Sequence, residues 1–143
     1  MMPYFPHYLS IATSVALPAV GVGLGQGFAT LAALDAINQQ PGAKADIANT
    51  VILGMALIET AAIMGVTLAI ILLFGPLPVS SYAGLAEIGM ACAVAIPGFC
   101  IGLSSALPLH QACFSIARQP FFAAKITRFM LVTQSLIQTS IIF

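Results

Sequence analysis

Four long apolar segments limit what this chain can fold into. They span residues 8–38, 45–74, 83–117 and 123–143, with short polar or Pro-rich breaks between them. Each is close to or above the roughly 20 residues that a helix needs to cross a bilayer. Only 6% of the 143 residues are charged, against about 25% in a typical soluble domain. Because backbone groups in lipid must be satisfied internally, we expect an all-α membrane protein of four transmembrane helices.

The chain repeats itself at an offset of 79 residues. The loop dipeptide Gln40-Pro41 falls on Gln119-Pro120, and residues 57–60 fall on residues 136–139. Shared composition produces scattered matches, but it does not align a loop dipeptide and a polar pair in one register. We therefore predict two tandem transmembrane hairpins. They are residues 1–76 and 77–143.

One carboxylate, Glu59, lies in the middle of the second apolar segment. An ionisable group at this depth costs roughly 2.5–3.5 kcal/mol on insertion scales, and residues of this kind usually handle an ion or a proton. The matching position of the second copy carries Gln138, and Ser105 stands where the first copy has Gln26. The first hairpin is thus predicted to keep an ion site and the second to have lost it.

The first segment also contains alternating glycines around Gln26. Gly21 and Gly25 line one ridge of the predicted helix, and Gly23 and Gly27 line a nearly opposite one. Small residues four apart let helices approach closely in lipid, so we expect neighbours on both sides, as in a ring of helices. The alternative is packing within one four-helix bundle. The stretch lacks the Gly-Lys-Ser/Thr ending of a phosphate loop, and we expect no cofactor.

Gln26 and Glu59 lie at similar distances from the loop between their helices, so their side chains can reach the same depth. An amide oxygen beside a carboxylate, with the Thr60 hydroxyl nearby, is a hard-oxygen environment suited to H⁺, Na⁺ or H₃O⁺. These residues predict an ion-binding site at Glu59.

The few other charges indicate topology and exclude one class of partner. All four cations lie in or beside the two hairpin loops, which places the loops in the cytoplasm and both termini outside. They are Lys44, Arg118, Lys125 and Arg128. A formal net charge of zero without a basic run argues against nucleic acid. We expect no cleaved secretory signal, since residues 1–10 lack Lys and Arg. Glu87 is expected to be a solvated acid, and His7 an interfacial residue.

The glycine ladder, the loop Ala117-Arg118-Gln119-Pro120 and the mid-helix Glu59 together resemble the c subunit of the F-type rotary ATP synthases, the proteolipid of the rotor ring. The resemblance implies a homo-oligomeric ring that turns against the stator protein, is surrounded by membrane lipid, and has no catalytic activity alone. It also implies a multi-pass location in a membrane, here the bacterial plasma membrane. Members are usually single hairpins, so the tandem form is a departure.

The resemblance further implies residue roles. If hairpins alternate around the ring, Glu59 and Gln26 meet Thr139 and the Leu136 carbonyl of an adjacent copy. Thr60 and the Leu57 carbonyl then face Gln138 and Ser105, the degenerate site. The loops would contact the central-stalk subunits of the soluble ATPase head. The loop candidates are Gln39, Gln40, Pro41, Arg118, Gln119 and Pro120.

Three questions stay open at this point. The ion carried by Glu59 is H⁺ or Na⁺, since the amide and hydroxyl resemble sodium-type members but Ala61 and Met64 do not. A vacuolar- or archaeal-type rotor proteolipid is an alternative, although that type typically keeps its carboxylate in the last helix. Two further alternatives are a stand-alone four-helix channel or transporter and a purely structural membrane proteolipid.

Overall fold

The computed structural model describes residues 4–78 and 80–141, which form α-helices joined by short turns. The helices within these residues are α1 (Phe5–Gln39), α2 (Lys44–Ile58), α3 (Thr60–Phe74), α4 (Ser81–Ser104), α5 (Ala106–Arg118) and α6 (Ala123–Thr139). Single residues, Glu59 and Ser105, separate α2 from α3 and α4 from α5. The described residues therefore form four rods arranged as two hairpins, which confirms the predicted all-α fold.

Three of these rods, among the described residues, are long and apolar enough to span a membrane. They are Phe5–Gln39, Pro41–Phe74 and Tyr82–Arg118. Helix α6 has 17 residues, or about 26 Å at 1.5 Å per residue, which is less than the roughly 30 Å hydrocarbon core. The predicted fourth segment ended at residue 143, and residues 142 and 143 lie outside the described part of the chain.

Helices α1 and α4 approach each other very closely. A Cβ atom on Gly25 would overlap the Gly102 carbonyl, and one on Gly102 would lie 2.7 Å from the Val22 nitrogen. Only glycine permits so close an approach, as expected for helices that associate in lipid. The opposite ridge of α1 is open, because a Cβ on Gly23 or Gly27 would have no described atom within 4 Å apart from the neighbouring backbone of its own helix. One predicted neighbour is thus the second hairpin of the same chain.

The two hairpin loops have the same backbone shape. Gln40 (φ −139°, ψ 81°) and Gln119 (φ −138°, ψ 72°) leave their helices in a similar conformation. In each loop a 3-10 turn follows, in which the Ala43 N–H donates to the Gln40 carbonyl and the Phe122 N–H to the Gln119 carbonyl, both at 3.1 Å. Five of the six loop candidates are exposed and Pro120 is half-buried, so all of them lie at one end of the bundle, accessible to a partner.

His7 and Glu87 form a hydrogen-bonded pair at the end opposite the loops. The His7 Nδ1 and Glu87 Oε2 atoms are 2.9 Å apart, and the side chains are only 2% and 12% exposed. The expectation of a solvated Glu87 is therefore wrong, whereas the interfacial position of His7 stays a prediction. The physical reason is that the N-terminal ends of α1 and α4 pack together, which the spacing of residues along the sequence does not reveal.

Candidate ion-binding site

Glu59 occupies the interruption between α2 and α3, and its side chain is exposed. It opens onto a groove of about 500 Å³ between α1 and α3. Apart from Gln26, Glu59 and Thr67, the residues that line this groove are apolar. A bare carboxylate facing such walls in lipid is strongly disfavoured, so the geometry requires that Glu59 be neutralised or covered there.

The structure places Gln26 beside Glu59. The Gln26 Nε2 atom donates a hydrogen bond to Glu59 Oε1 at 3.3 Å, which is longer than the 2.7–2.9 Å of a strong charge-assisted bond. The amide carries an acceptor oxygen as well as the donor nitrogen. Gln26 can therefore stabilise the ionised carboxylate as a donor, or turn its oxygen to a bound cation.

At the corresponding position of the second hairpin, Gln138 forms hydrogen bonds with neutral groups. The Gln138 Nε2 atom donates to the Leu57 carbonyl, and the Thr60 hydroxyl lies 2.8 Å from Gln138 Oε1 and 2.8 Å from the Leu57 oxygen. These bonds join the two hairpins at the interruption of the second rod. We call this contact, together with the close approach of Gly25 to Gly102, the internal seam.

Ser105, predicted to lie with Gln138, bonds instead to a residue that the sequence reasoning missed. The Gln134 Nε2 atom donates to the Ser105 carbonyl at 2.7 Å, and both residues are fully buried. The available signal was Met55, the counterpart of Gln134 in the repeat, where an apolar residue is replaced by an amide. Pro108 interrupts the helix here because it has no N–H for the Ser104 carbonyl.

Leu136 and Thr139, predicted to complete the site of an adjacent copy, lie on the exposed face of α6. The Thr139 hydroxyl lies 2.7 Å from the Leu136 carbonyl oxygen, just as Thr60 does with Leu57. Neither residue hydrogen-bonds to Glu59 within the described chain. The structure thus brings Gln26 to Glu59 inside one chain and leaves Leu136 and Thr139 on the surface.

The fold and this arrangement define a class: a helical-hairpin membrane protein with one carboxylate paired with an amide at mid-span. The family model of the ATP synthase C subunit matches residues 9–72. The ATP synthase c subunit of Geotalea uraniireducens is 36% identical over 66 residues, which cover 46% of this chain and 72% of that protein. The ATP synthase c subunit of a Synechococcus strain is 41% identical over the same length, 82% of that protein.

The chain therefore belongs to the ATP synthase C-subunit family. As such it is a rotor proteolipid of the ATP synthase complex and not catalytic by itself. The family match covers α1 to α3, the first hairpin, which contains Gln26 and Glu59. The second hairpin, with Gln134 and Gln138, lies beyond the matched residues.

Proposed function

We propose that this chain is a duplicated c subunit of an F-type ATP synthase motor, which carries one H⁺ or Na⁺ per chain on Glu59. The observation that carries the proposal is the contact of Gln138 with Thr60 and Leu57 in the internal seam. The matched relatives, which are ATP synthase c subunits, support the F-type assignment over a vacuolar one.

The internal seam supplies a template for the contact between chains. A shift by the 79-residue repeat gives the contact between chains. Glu59 takes the place of Gln138, and Leu136 and Thr139 of an adjacent copy take the places of Leu57 and Thr60. Both surfaces needed for this contact are open in the single chain, since Glu59, Leu136 and Thr139 are exposed. Repeated application of the shift generates a ring in which first and second hairpins alternate.

Gln138 also indicates how a loaded Glu59 would bind. The amide donates to one carbonyl and accepts from one hydroxyl, and a protonated carboxyl can do the same. Protonated Glu59 would donate to the Leu136 carbonyl and accept from Thr139, which favours H⁺. Na⁺ remains the second candidate, because the amide of Gln26 and the Thr139 hydroxyl are hard oxygen ligands.

In the proposed cycle, Glu59 receives its ion at the stator protein and crosses the lipid in neutral form. It releases the ion at a second channel, driven by roughly 2.3 kcal/mol per charge for each 100 mV. The exposed loops, which hold Gln39, Gln40, Arg118 and Gln119, would contact the central stalk. The four cations at the loop end support a cytoplasmic position for the loops in a bacterial plasma membrane.

One carboxylate for every two hairpins halves the number of ions moved per turn in a ring of given circumference. Synthesis of ATP then needs a larger ion gradient, and ATP-driven pumping reaches a steeper one. The ratio of ions moved to ATP hydrolysed, measured in vesicles, tests this step. A ratio equal to that of a single-hairpin ring of the same size contradicts it.

The decisive test exchanges carboxylate for amide at two positions. Glu59→Gln is expected to abolish ion flux and gradient-coupled ATP turnover in vesicles that contain the complete complex. Glu87→Gln, the matched control, makes the same chemical change outside the groove and can still bond to His7, so coupling should persist. Coupled turnover that survives Glu59→Gln refutes the proposal.

Labelling of Glu59 by a carbodiimide identifies the ion, because the reagent reacts with the protonated carboxyl. Protection by millimolar Na⁺ at fixed pH indicates a sodium site, and indifference to Na⁺ indicates a proton site. A Glu59→Gln chain should not be labelled at this position, which controls for reaction elsewhere. Labelling of Glu59 that responds to neither Na⁺ nor pH contradicts ion binding there.

A further inference from the structure

Two buried oxygen atoms beside the second hairpin's interruption have no hydrogen-bond partner among the described residues. They are Ser105 Oγ and Gln134 Oε1, and both residues are 0% exposed. The Gln134 Nε2 atom donates to the Ser105 carbonyl at 2.7 Å, so the Gln134 amide lies against the backbone of Ser105. Buried polar atoms are almost always paired with protein or ordered water, and an exception requires an explanation.

Comparison of the two hairpins shows how the polar residues at this position differ. The first hairpin has Gln26 on its first helix and Met55 on its second, whereas the second hairpin has Ser105 and Gln134 at the matching positions. The amide has thus moved from the first to the second helix of the hairpin. A short serine now occupies the place of a long glutamine, and the Gln134 amide turns inward instead of toward residue 138.

We propose that a single buried water molecule binds between Ser105 and Gln134. The Ser105 hydroxyl donates to the water oxygen, and the water donates to Gln134 Oε1. Buried waters typically make two to four such bonds to otherwise unsatisfied groups.

Water fits this position better than a cation does. Ser105 and Gln134 are neutral, and no cluster of three metal-ligating side chains occurs in the part of the chain that the structure describes. A cation without a negative partner would be costly in so apolar an environment. With the water bound, the polar groups of the second hairpin are satisfied without charge. This hairpin can then face lipid without a transported ion, whatever the role of Glu59.

A high-resolution cryo-EM map of the assembled protein tests the proposal. We expect a density peak within hydrogen-bonding distance of Ser105 Oγ and Gln134 Oε1, at a resolution where other ordered waters are visible. Ser105→Ala should remove the peak and leave the Gln134 bond to the backbone carbonyl in place. Ser104→Ala is the matched control and should keep the peak, since the Ser104 hydroxyl donates to the Ile101 carbonyl of the same helix at 3.3 Å.

Infrared difference spectra of the wild-type protein in H₂¹⁸O and H₂¹⁶O give an independent measurement. An isolated O–H stretch that shifts with the isotope is expected, and it should be lost in Ser105→Ala but kept in Ser104→Ala. An empty position with the Ser105 hydroxyl turned to a helix carbonyl overturns the proposal. A peak that persists in Ser105→Ala also overturns it, as does one that strengthens when Na⁺ is replaced by a heavier monovalent cation.

Discussion

Gly23 and Gly102 occupy the same position in the two hairpins, but only Gly102 faces another helix of the chain. Its added Cβ would lie 2.7 Å from the Val22 nitrogen and 2.8 Å from the Gly21 carbonyl carbon, whereas one on Gly23 would meet nothing within 4 Å. Gly102→Ala should therefore destabilise the isolated chain, and Gly23→Ala should not. Comparison of these two variants therefore isolates the effect of close packing from the other effects of an alanine substitution.

The magnitude follows from these distances. Ordinary contact begins near 3.4 Å, so α1 and α4 must separate by about 0.7 Å, and a gap of that size forfeits a quarter to a half of each contact energy. Overpacking costs about 1–3 kcal/mol, and the obstructing atoms are backbone, which cannot rotate away. Alanine recovers about 0.5–1 kcal/mol of helix stability at either position. The helix gain is common to both variants, so they should differ by the overpacking cost, about 1–3 kcal/mol in the free energy of unfolding, or roughly 5- to 150-fold in the equilibrium constant.

The assay uses the buried thiol of Cys113. In a background without the two exposed cysteines, the dispersed chain is titrated with denaturing detergent, and maleimide labelling of Cys113 reports the unfolded fraction. Gly102→Ala should be labelled at lower denaturant, and Gly23→Ala at the same or higher denaturant than the parent. Equal stability of the two variants, or the opposite order, refutes the packing argument.

Three further predictions concern other contacts of the two hairpins. Gln138→Leu removes two interhelical hydrogen bonds and should destabilise the chain by about 1–3 kcal/mol in the same labelling assay; an unchanged midpoint contradicts the seam. Val20→Cys should form an oxidised ladder of oligomers with Cys100, because these two positions repeat Phe99 and Gly21, whose backbones are in close contact within the chain, while Cys100 alone should not. His7→Ala leaves Glu87 without its partner and should cost about 1–3 kcal/mol in thermal unfolding. Removal of both side chains should cost less than that, and an additive double variant contradicts a direct pair.

Much of the fold could be predicted because its determinants are local and repeated. Apolar length marked the helices, and the 79-residue offset marked the hairpins, since each signal depends on residues close in sequence or in register. The placement of Gln26 beside Glu59 followed from similar distances to a shared loop. Gln134 escaped prediction, because an amide in an apolar helix can face lipid, a neighbour or the core, and periodicity alone does not distinguish these.

The amino-acid sequence by itself determined that this chain is helical, apolar and duplicated, with one carboxylate at bilayer depth. These properties depend on composition and spacing, which the chain carries in any conformation. Only the tertiary structure decided which glycine ridge packs within the chain and which stays open. It also decided that Gln138 joins the two hairpins and that His7 meets Glu87. Such contacts link residues about 80 positions apart, and their geometry arises only when the two hairpins pack side by side.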